Sequence, residues 1–193
     1  MNISKVEEKK QIKRDRLLAS AYALFVKRGL YETSINDIAE YADVGKGTFY
    51  LYFKDKWDIN EQVIAEKARL LFDEAIINAD EKRIYNFSDR LISIIDYIID
   101  SFIENNDLIR LINKNLSLGL YNRLLSNEYI NIKDTFVNEL KNYNNNITNP
   151  DAVFYMIIEL VGSTTYNSIL NDIPLPIDEF KPYLYDQIRK MIN

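Results

Sequence analysis

The first hydrophobic pattern along the chain is helical. Within the segment LLASAYALF, residues 17–25, apolar side chains recur at steps of three and four, with charged positions on either side. That spacing places them on one face of a helix and predicts a helix from about Glu7 to Arg28. Gly29 follows, and because glycine readily adopts the positive φ that ends many helices, we expect the helix to stop there.

Two short helical segments come next. Ser34 followed three residues later by Asp37 is a variant of the capping box that begins a helix, and it predicts a short helix ending near Tyr41. The run Asp43-Val44-Gly45 interrupts this helix because aspartate and glycine favour turns. A second short helix is predicted from about Lys46 to Tyr52.

Longer helices fill the rest of the chain. Asp55 and Asp58 repeat the capping signal and predict a long helix to about Asn78. Asn149 before Pro150 combines a capping side chain with a proline suited to a first helical turn. The further predicted helices are Tyr85 to Glu104, Asp107 to about Leu118, Tyr121 to about Tyr143, Pro150 to Leu170, and a last one ending near Ile192. With no strand pattern of consequence, the sequence predicts an all-α protein of about nine helices.

Residues 34–53, SINDIAEYADVGKGTFYLYF, carry the most specific pattern. Two short helices joined by a tight turn, with a few apolar residues between them, are typical of a helix-turn-helix. The apolar residues that would form its core are Ile38, Ala39, Ala42, Val44, Phe49 and Phe53. We therefore expect a three-helix helix-turn-helix domain at residues 1–55 and a helical bundle at residues 56–193.

The outward side of the second short helix is predicted to carry Lys46, Gly47, Thr48, Tyr50 and Tyr52, with no acidic side chain among them. Such a set suits a phosphate backbone, because lysine supplies a cation, hydroxyls supply hydrogen bonds, and a glycine lets backbone approach closely. The amides that begin the helix at Lys56 would also face an anion. An alternative for the two tyrosines is aromatic packing within the small domain.

Charge and composition narrow the possible functions. The chain of 193 residues has no Cys and no His, which excludes disulfides, thiolate chemistry and imidazole ligands to a metal. Residues 1–56 hold 11 Lys or Arg and 8 Asp or Glu, whereas the remainder holds 13 and 21. A basic N-terminal segment followed by an acidic remainder fits DNA binding by the first segment, although chance unevenness gives a charge difference of this size as well. Without a long apolar run or a signal-peptide pattern, we expect a cytoplasmic protein with no membrane partner.

At this point a family resemblance is specific. The stretches LLASAYALFVKRG and TSINDIAEYADVGKGTFYLYFKDKWDI, between Leu17 and Ile59, resemble the DNA-binding domain of the TetR/AcrR family of bacterial regulators. Two departures are visible: Leu30 precedes Tyr31 where the family's aromatic usually follows the glycine directly, and Asp43 stands where glycine is common in the turn.

The resemblance implies which residues contact double-stranded DNA. Lys46, Tyr52 and Lys56 would mainly bind phosphates, and Thr48 and Tyr50 would reach base edges or thymine methyls. For Ser34, capping of its helix is a sufficient explanation without DNA. The full set implied is Thr33, Ser34, Gly45, Lys46, Gly47, Thr48, Tyr50, Tyr52 and Lys56.

The resemblance also implies a C-terminal domain that forms a homodimer through its last two helices. Small residues at Gly162-Ser163-Thr164-Thr165 permit close helix packing, and Phe180, Leu184, Ile188 and Met191 share one face of the last helix. We interpret both as interface features in preference to internal core contacts. Two helix-turn-helix units on a two-fold axis would read the half-sites of a palindrome, roughly 34 to 36 Å apart.

The same domain would enclose an effector pocket. Aromatic residues on the middle helices are candidates for its lining, and Glu159, set in an apolar run, would either attract a cationic ligand or reach solvent or a partner subunit. Asp96 and Asp100, one turn apart, are interpreted as a solvated face and not as a metal site. The pocket candidates are Tyr97, Phe102, Tyr121, Tyr129, Phe136, Tyr155, Glu159 and Tyr166.

The sequence therefore predicts a regulator that is not an enzyme and needs no cofactor or metal. In this hypothesis a repressor is released from a palindromic operator when an unknown, hydrophobic small molecule binds and favours a state with lower DNA affinity. Two alternatives stay open: an enzyme built on a helical bundle, for which no catalytic constellation stands out, and a non-specific DNA-coating protein.

Overall fold

The computed structural model describes residues 5–113 and 130–193. Within these ranges the chain forms nine α-helices and no β-strand, which confirms the predicted all-α class. The helices are α1 (Lys5–Arg28), α2 (Ile35–Tyr41), α3 (Lys46–Phe49), α4 (Lys56–Glu81), α5 (Phe87–Glu104), α6 (Asn106–Asn113), α7 (Ile130–Tyr143), α8 (Pro150–Asn171) and α9 (Ile177–Ile192).

The glycine predicted to end α1 and the capping box predicted to begin α2 both form in the structure. Gly29 has a φ of 85°, and its N–H donates to the carbonyl of Phe25 at 2.9 Å. The Ser34 hydroxyl accepts the N–H of Asp37 at 3.1 Å, and the Asp37 carboxylate accepts the N–H of Ser34 at 2.8 Å. Hydrogen bonds from Ser34 lower the pKa of Asp37 below its ordinary value. Helix α2 therefore begins with a complete capping box.

The turn between α2 and α3 accommodates an aspartate in a left-handed conformation. Asp43 has a φ of 51°, a region that disfavours most L-residues but that aspartate enters more readily. Arg16 of α1 donates to the Asp43 carboxylate at 3.1 Å and also to the carbonyl of Ala42. These bonds explain how the turn forms without glycine at this position.

A compact apolar core forms in the N-terminal part of the chain, where α2 packs against α1 and α3. Of the six residues predicted for the helix-turn-helix core, five are buried and Val44 is half-buried. The buried residues of this core include Leu17, Ala21, Ile38, Ala39, Ala42, Phe49, Phe53 and Ile59.

Helix α8 is the centre of the C-terminal bundle and contacts α5, α6, α7 and α9. A helix that is apolar around most of its circumference has to be covered by neighbours, and Val153, Phe154 and Ile157 are accordingly buried. The Asn149 side chain accepts the N–H of Ala152 at 3.0 Å, so the predicted start signal of this helix is its actual cap.

The apolar stripe of α9 belongs to the same internal core. Leu184 and Ile188 are 2% and 0% exposed, and Phe180 and Met191 are partly buried against their cluster. This differs from the subunit interface predicted for the stripe, because side chains enclosed within one chain leave little surface for a partner. Thr165, in the small-residue segment of α8, is also fully buried.

Helix α9 is joined to α5 by a polar cluster at its solvent edge. The Lys181 ammonium donates to Asp96 at 2.8 Å and to Asp100 at 2.5 Å, and the Tyr185 hydroxyl donates to Asp96. Burial alone raises the pKa of Asp96, but the bonds from Lys181 and Tyr185 together lower it below its ordinary value. The two aspartates thus connect helices and are not simply a solvated face.

The chain divides into two compact units, Met1–Glu66 and Lys67–Asn193. The division falls within α4, whereas the predicted domain boundary at residues 55–56 lies where that helix begins. Over the described part of the chain, every helix is too short or too polar to span a bilayer.

Candidate nucleic-acid interface and internal cavity

Helix α3 and the residues directly before and after it, residues 45–50, carry no acidic side chain. Gly45, Lys46, Gly47 and Tyr50 are exposed, and Thr48 is half-buried. Among the described residues Lys46 forms no ion pair, so its charge is available to an external anion. We call the surface made by Gly45, Lys46, Gly47, Thr48 and Tyr50 the α3 face.

The two glycines of the α3 face are not required by the fold. A Cβ atom at Gly45 or Gly47 has no non-adjacent atom within 4 Å, and neither residue has a left-handed φ. Gly45 is the N-cap of α3 with a φ of −71°, a conformation open to any residue. A surface that approaches another molecule closely gives these glycines a role, because a side chain there would separate the two backbones.

Tyr50 and Tyr52 differ in how much of each ring is available. Tyr50 is 51% exposed, with its ring edge-on to Phe49 at a centroid distance of 5.5 Å. Tyr52 is half-buried, with its ring 6.4 Å from that of Phe53. Both rings therefore pack in part against the core, and Tyr50 presents more surface to a partner.

Lys56 and its surroundings form a second patch beside this motif. The Lys56 ammonium donates to the Tyr31 carbonyl at 3.2 Å, and the Tyr31 ring meets Trp57 edge-on at 5.7 Å. The Asp55 carboxylate accepts the N–H groups of Trp57 and Asp58, each at 2.9 Å. These two amides are already satisfied, which corrects the expectation that the start of this helix offers them to an anion.

Thr33 and Ser34 are used by the fold itself. Thr33 is 1% exposed, and its hydroxyl donates to the Gly29 carbonyl at 2.8 Å. A side chain enclosed in this way is not part of any contact surface, which corrects its place among the predicted DNA contacts. Ser34 is exposed, but its hydroxyl belongs to the capping box.

Sequence reasoning did not single out Lys54 or Leu51. Both are exposed close to the α3 face, Leu51 at 80%, and Lys54 forms no ion pair among the described residues. The positive charge next to Phe53 is the one signal that points to Lys54. Nothing in the hydrophobic spacing predicts that Leu51 faces outward.

Within the C-terminal unit lies a cavity of about 310 Å³. Its described lining is almost wholly apolar, and the exceptions are Asp73, Arg90, Thr135 and Glu139. The apolar residues that line it are Ala68, Leu71, Phe72, Ile76, Phe87, Leu91, Ile94, Ile95, Ile98, Phe102, Ile132, Phe136, Phe154, Ile157, Ile158, Val161 and Gly162.

The cavity brings together only some of the predicted pocket residues. Phe102 and Phe136 line it. Tyr121 and Tyr129 lie outside the described residues. The remaining candidates lie on helices of the bundle but are not among the described lining residues: Tyr97, Tyr155, Glu159 and Tyr166.

Comparison with known proteins shows which family the chain belongs to. A family model described as "Bacterial regulatory proteins, tetR family" matches residues 17–63. The transposon Tn10 TetC protein of Escherichia coli is 31% identical over 142 residues, which cover 68% of this chain and 70% of that protein. The chain belongs to the TetR family of bacterial regulatory proteins.

Other members show the range of the similarity. The HTH-type transcriptional repressor BepR of Brucella suis biovar 1 is 35% identical over 66 residues, 34% of this chain and 31% of its own length. The chain thus spans about a third of the length of that relative. The solved structure of Thermus thermophilus FadR in complex with lauroyl-CoA has a TM-score of 0.66 at 16% identity, covering 93% of this chain and 92% of that one, which shows a shared TetR fold.

In this TetR-family chain, α8 and α9 also have outward surfaces. Met156 on α8 and Tyr183 on α9 are exposed apolar side chains, as is Ile173 between the helices. Glu159 is half-buried, and its Oε1 atom is enclosed without a hydrogen-bond partner in the described structure. A buried carboxylate oxygen without a donor is costly.

Proposed function

We propose that this protein is a ligand-responsive transcriptional repressor that binds a palindromic DNA operator as a homodimer and has no catalytic activity. The observation that carries the proposal is the α3 face, which is exposed, free of acids and built with two glycines that the fold does not require. Its place in the second helix of a helix-turn-helix is where such proteins contact the major groove.

The roles proposed for the α3 face follow from its chemistry. Lys46 would bind a phosphate, and Gly47 would let backbone approach the sugar-phosphate chain. Tyr50 has both the exposed ring and the hydroxyl needed to contact a thymine methyl or a base edge. Lys54 and Lys56 would add phosphate contacts beside it.

A dimer would use the outward surfaces of α8 and α9, since their inward residues are already packed. Exposed Met156, Ile173 and Tyr183 supply apolar area for such an interface. Two copies of the α3 face would then be held at a fixed spacing by the two-fold axis.

The effector is proposed to occupy the cavity of the C-terminal unit. Its volume lies at the lower end of the range typical of ligand sites, and its apolar lining fits a hydrophobic molecule. The lauroyl-CoA complex of Thermus thermophilus FadR supports the idea that this fold receives an acyl chain. A ligand that binds more tightly to the low-affinity state would release the DNA by linkage.

DNA binding is tested by footprinting the DNA upstream of the gene with purified protein. A repressor protects one palindrome, whereas a DNA-coating protein protects the whole fragment. The plot of log K against log salt has a negative slope, and Lys46→Ala should make it less steep by about 1 for each phosphate that is no longer neutralised, or about 2 per dimer. Lys141→Ala, an exposed lysine on α7, is the matched control and should leave that slope unchanged.

Tyr50→Ala should abolish operator binding, and Tyr50→Phe separates the hydroxyl from the ring. Retained helicity and dimerisation in Tyr50→Ala would show that the ring acts by touching DNA. Loss of folding would favour the alternative that the ring serves only the core. Turnover of a substrate by the purified protein would favour an enzyme on a helical bundle.

A further inference from the structure

We propose that the effector is a single-chain amphiphile: an alkyl chain of about ten carbons fills the apolar cavity, and an uncharged, hydrogen-bonding head occupies a polar recess that adjoins it. The inference rests on the proposed function in assuming that a ligand occupies this unit. It goes further by naming the chemistry of both halves of that ligand.

The polar recess is a second cavity of about 630 Å³. It shares Phe87, Arg90 and Glu139 with the apolar cavity, so these three side chains form the junction between the two. The other residues that line the recess are Asp80, Arg83, Ile84, Tyr85, Asn86, Asn142 and Tyr143. In the proposed complex the ligand crosses this junction, with its alkyl chain in the aliphatic interior and its head in the polar, open recess.

The lining and volume of the apolar cavity indicate that the ligand carries an alkyl chain. Seven isoleucines and five phenylalanines line it, and no tyrosine, tryptophan, asparagine or glutamine is among its described lining residues. Such walls offer a polar group almost no partner, so polar atoms placed there lose their hydrogen bonds to water without replacement. A dry protein cavity of roughly 150 Å³ accommodates benzene, and about twice that volume accommodates an alkyl chain of about ten carbons.

The charges at the junction specify an uncharged head. Arg90 donates to Asp80 at 2.9 Å and to Glu139 at 3.2 Å, so its guanidinium is already shared by two carboxylates. Arg83, on the recess, adds a second positive charge. Within the recess two arginines thus offset two acids.

Positive and negative charges also balance at the apolar cavity, where the lining residue Asp73 pairs with Arg69 at 2.6 Å. An anionic head would have to compete with Asp80 and Glu139 for Arg90, and a cationic head would meet Arg90 and Arg83. An uncharged head meets neither cost, because hydroxyl and amide groups of the recess, such as those of Tyr85 and Asn142, donate and accept hydrogen bonds.

Direct binding to the full-length protein, measured by calorimetry without DNA, tests whether the head of the ligand is uncharged. The probes are monodecanoylglycerol, decanoate and decyltrimethylammonium, all below their micelle-forming concentrations. We expect monodecanoylglycerol to bind at least about tenfold more tightly than either charged probe, one decade being about 1.4 kcal/mol. A preference for decanoate or for the ammonium would overturn the assignment of the head.

The assignment of the alkyl chain to the apolar cavity is tested with glycerol esters whose acyl groups have six, eight and ten carbons. Affinity should rise about fourfold per methylene, as expected for a CH₂ group transferred from water to an apolar site. Affinity independent of chain length would overturn the assignment of the chain to the cavity. Displacement of DNA is measured separately: a protein that binds monodecanoylglycerol but keeps its operator refutes the repressor mechanism and leaves the ligand class standing.

Two variants locate the ligand. Ile94→Trp fills the apolar cavity and should weaken monodecanoylglycerol at least about tenfold, because the added ring takes the volume of the chain. Ile77→Trp, at an exposed site on α4 outside the lining, is the matched control and should leave affinity unchanged. Equal affinities of the two variants, with thermal unfolding confirming that both are folded, would overturn the site.

Glu139→Gln changes the charge balance without changing the size of the side chain. Arg90 then keeps only Asp80 as a charged partner, so decanoate should gain about tenfold relative to monodecanoylglycerol, the gain expected from a hydrogen bond to a charged group. A purely structural role for Glu139 would weaken all probes together. Unchanged relative affinities would refute the junction as the place of the head.

Discussion

Replacing Gly47 by alanine is predicted to have opposite effects on stability and on DNA binding. Gly47 lies in α3, is exposed, and has open space where a Cβ would stand. Alanine restricts the unfolded chain more than glycine does, so Gly47→Ala should stabilise the fold by about 0.5–1 kcal/mol. The same methyl group projects from the α3 face and should weaken operator binding.

The size of the DNA effect follows from what the methyl group would displace. A hydrogen bond to a charged group such as a phosphate contributes about 1.5 kcal/mol or more, which is about tenfold in affinity. A dimer carries the change twice, so the loss is expected to approach about a hundredfold if the half-sites act independently. No loss of helicity should accompany it.

Gly29→Ala is the control for adding the same methyl group elsewhere. Gly29 also has open space for a Cβ, but its φ is 85°, a conformation that costs an L-residue about 1–2 kcal/mol. Gly29→Ala should therefore unfold more easily while binding the operator normally at temperatures where it is folded.

Urea unfolding followed by circular dichroism, together with fluorescence anisotropy on labelled operator, separates the two quantities. A less stable Gly47→Ala would show that the fold needs this glycine after all. Normal operator affinity in that variant would refute the close approach of the α3 face to DNA.

Three further changes test other parts of the structure. Ser34→Ala should destabilise the protein by about 1 kcal/mol through loss of the cap, in urea unfolding, with an unchanged salt slope of DNA binding. Asp96 has a lowered pKa when folded, so its contribution is present above its ordinary value of 3.8 and disappears as pH falls through the lower, folded pKa. Asp96→Asn should flatten that acid limb of the stability curve, and an unchanged limb would contradict the pairing with Lys181. Ile188→Ala should cost about 2–5 kcal/mol of stability, and a selective loss of dimer with normal unfolding would instead restore the predicted interface role.

The N-terminal unit was largely predictable because its signals are local. The positive φ of Gly29, the capping box from Ser34 to Asp37 and the burial of Phe49 and Phe53 each depend on residues a few positions apart. Such signals act through backbone hydrogen bonds and helical spacing, which the sequence displays directly. Thr33 was misplaced because hydrophobic spacing does not show that a polar side chain is buried, with its hydroxyl bonded to the Gly29 carbonyl.

The C-terminal unit was predictable only in outline. The stripe on α9 is apolar whether it faces the bundle or a second subunit, and periodicity gives a buried face without naming its partner. The structure resolves this because Leu184 and Ile188 pack in a cluster with residues of α5, α7 and α8. In the same way, Lys181 lies far along the chain from Asp96 and Asp100, so the cluster that joins α5 to α9 is invisible to any short motif.

The contrast between predicted and observed cavity residues has a physical reason that bears on the ligand. A tyrosine placed inside an apolar cavity leaves its hydroxyl without a partner, whereas at the edge of a helical bundle the hydroxyl remains hydrated. Tyr97, Tyr155 and Tyr166 accordingly lie outside the cavity lining, and isoleucine and phenylalanine fill it. Because these side chains offer no directional hydrogen bonds, the interior selects a ligand by volume and apolar area. In the proposed complex, discrimination between ligands of equal alkyl-chain length would then come from the junction where Arg90 meets Glu139.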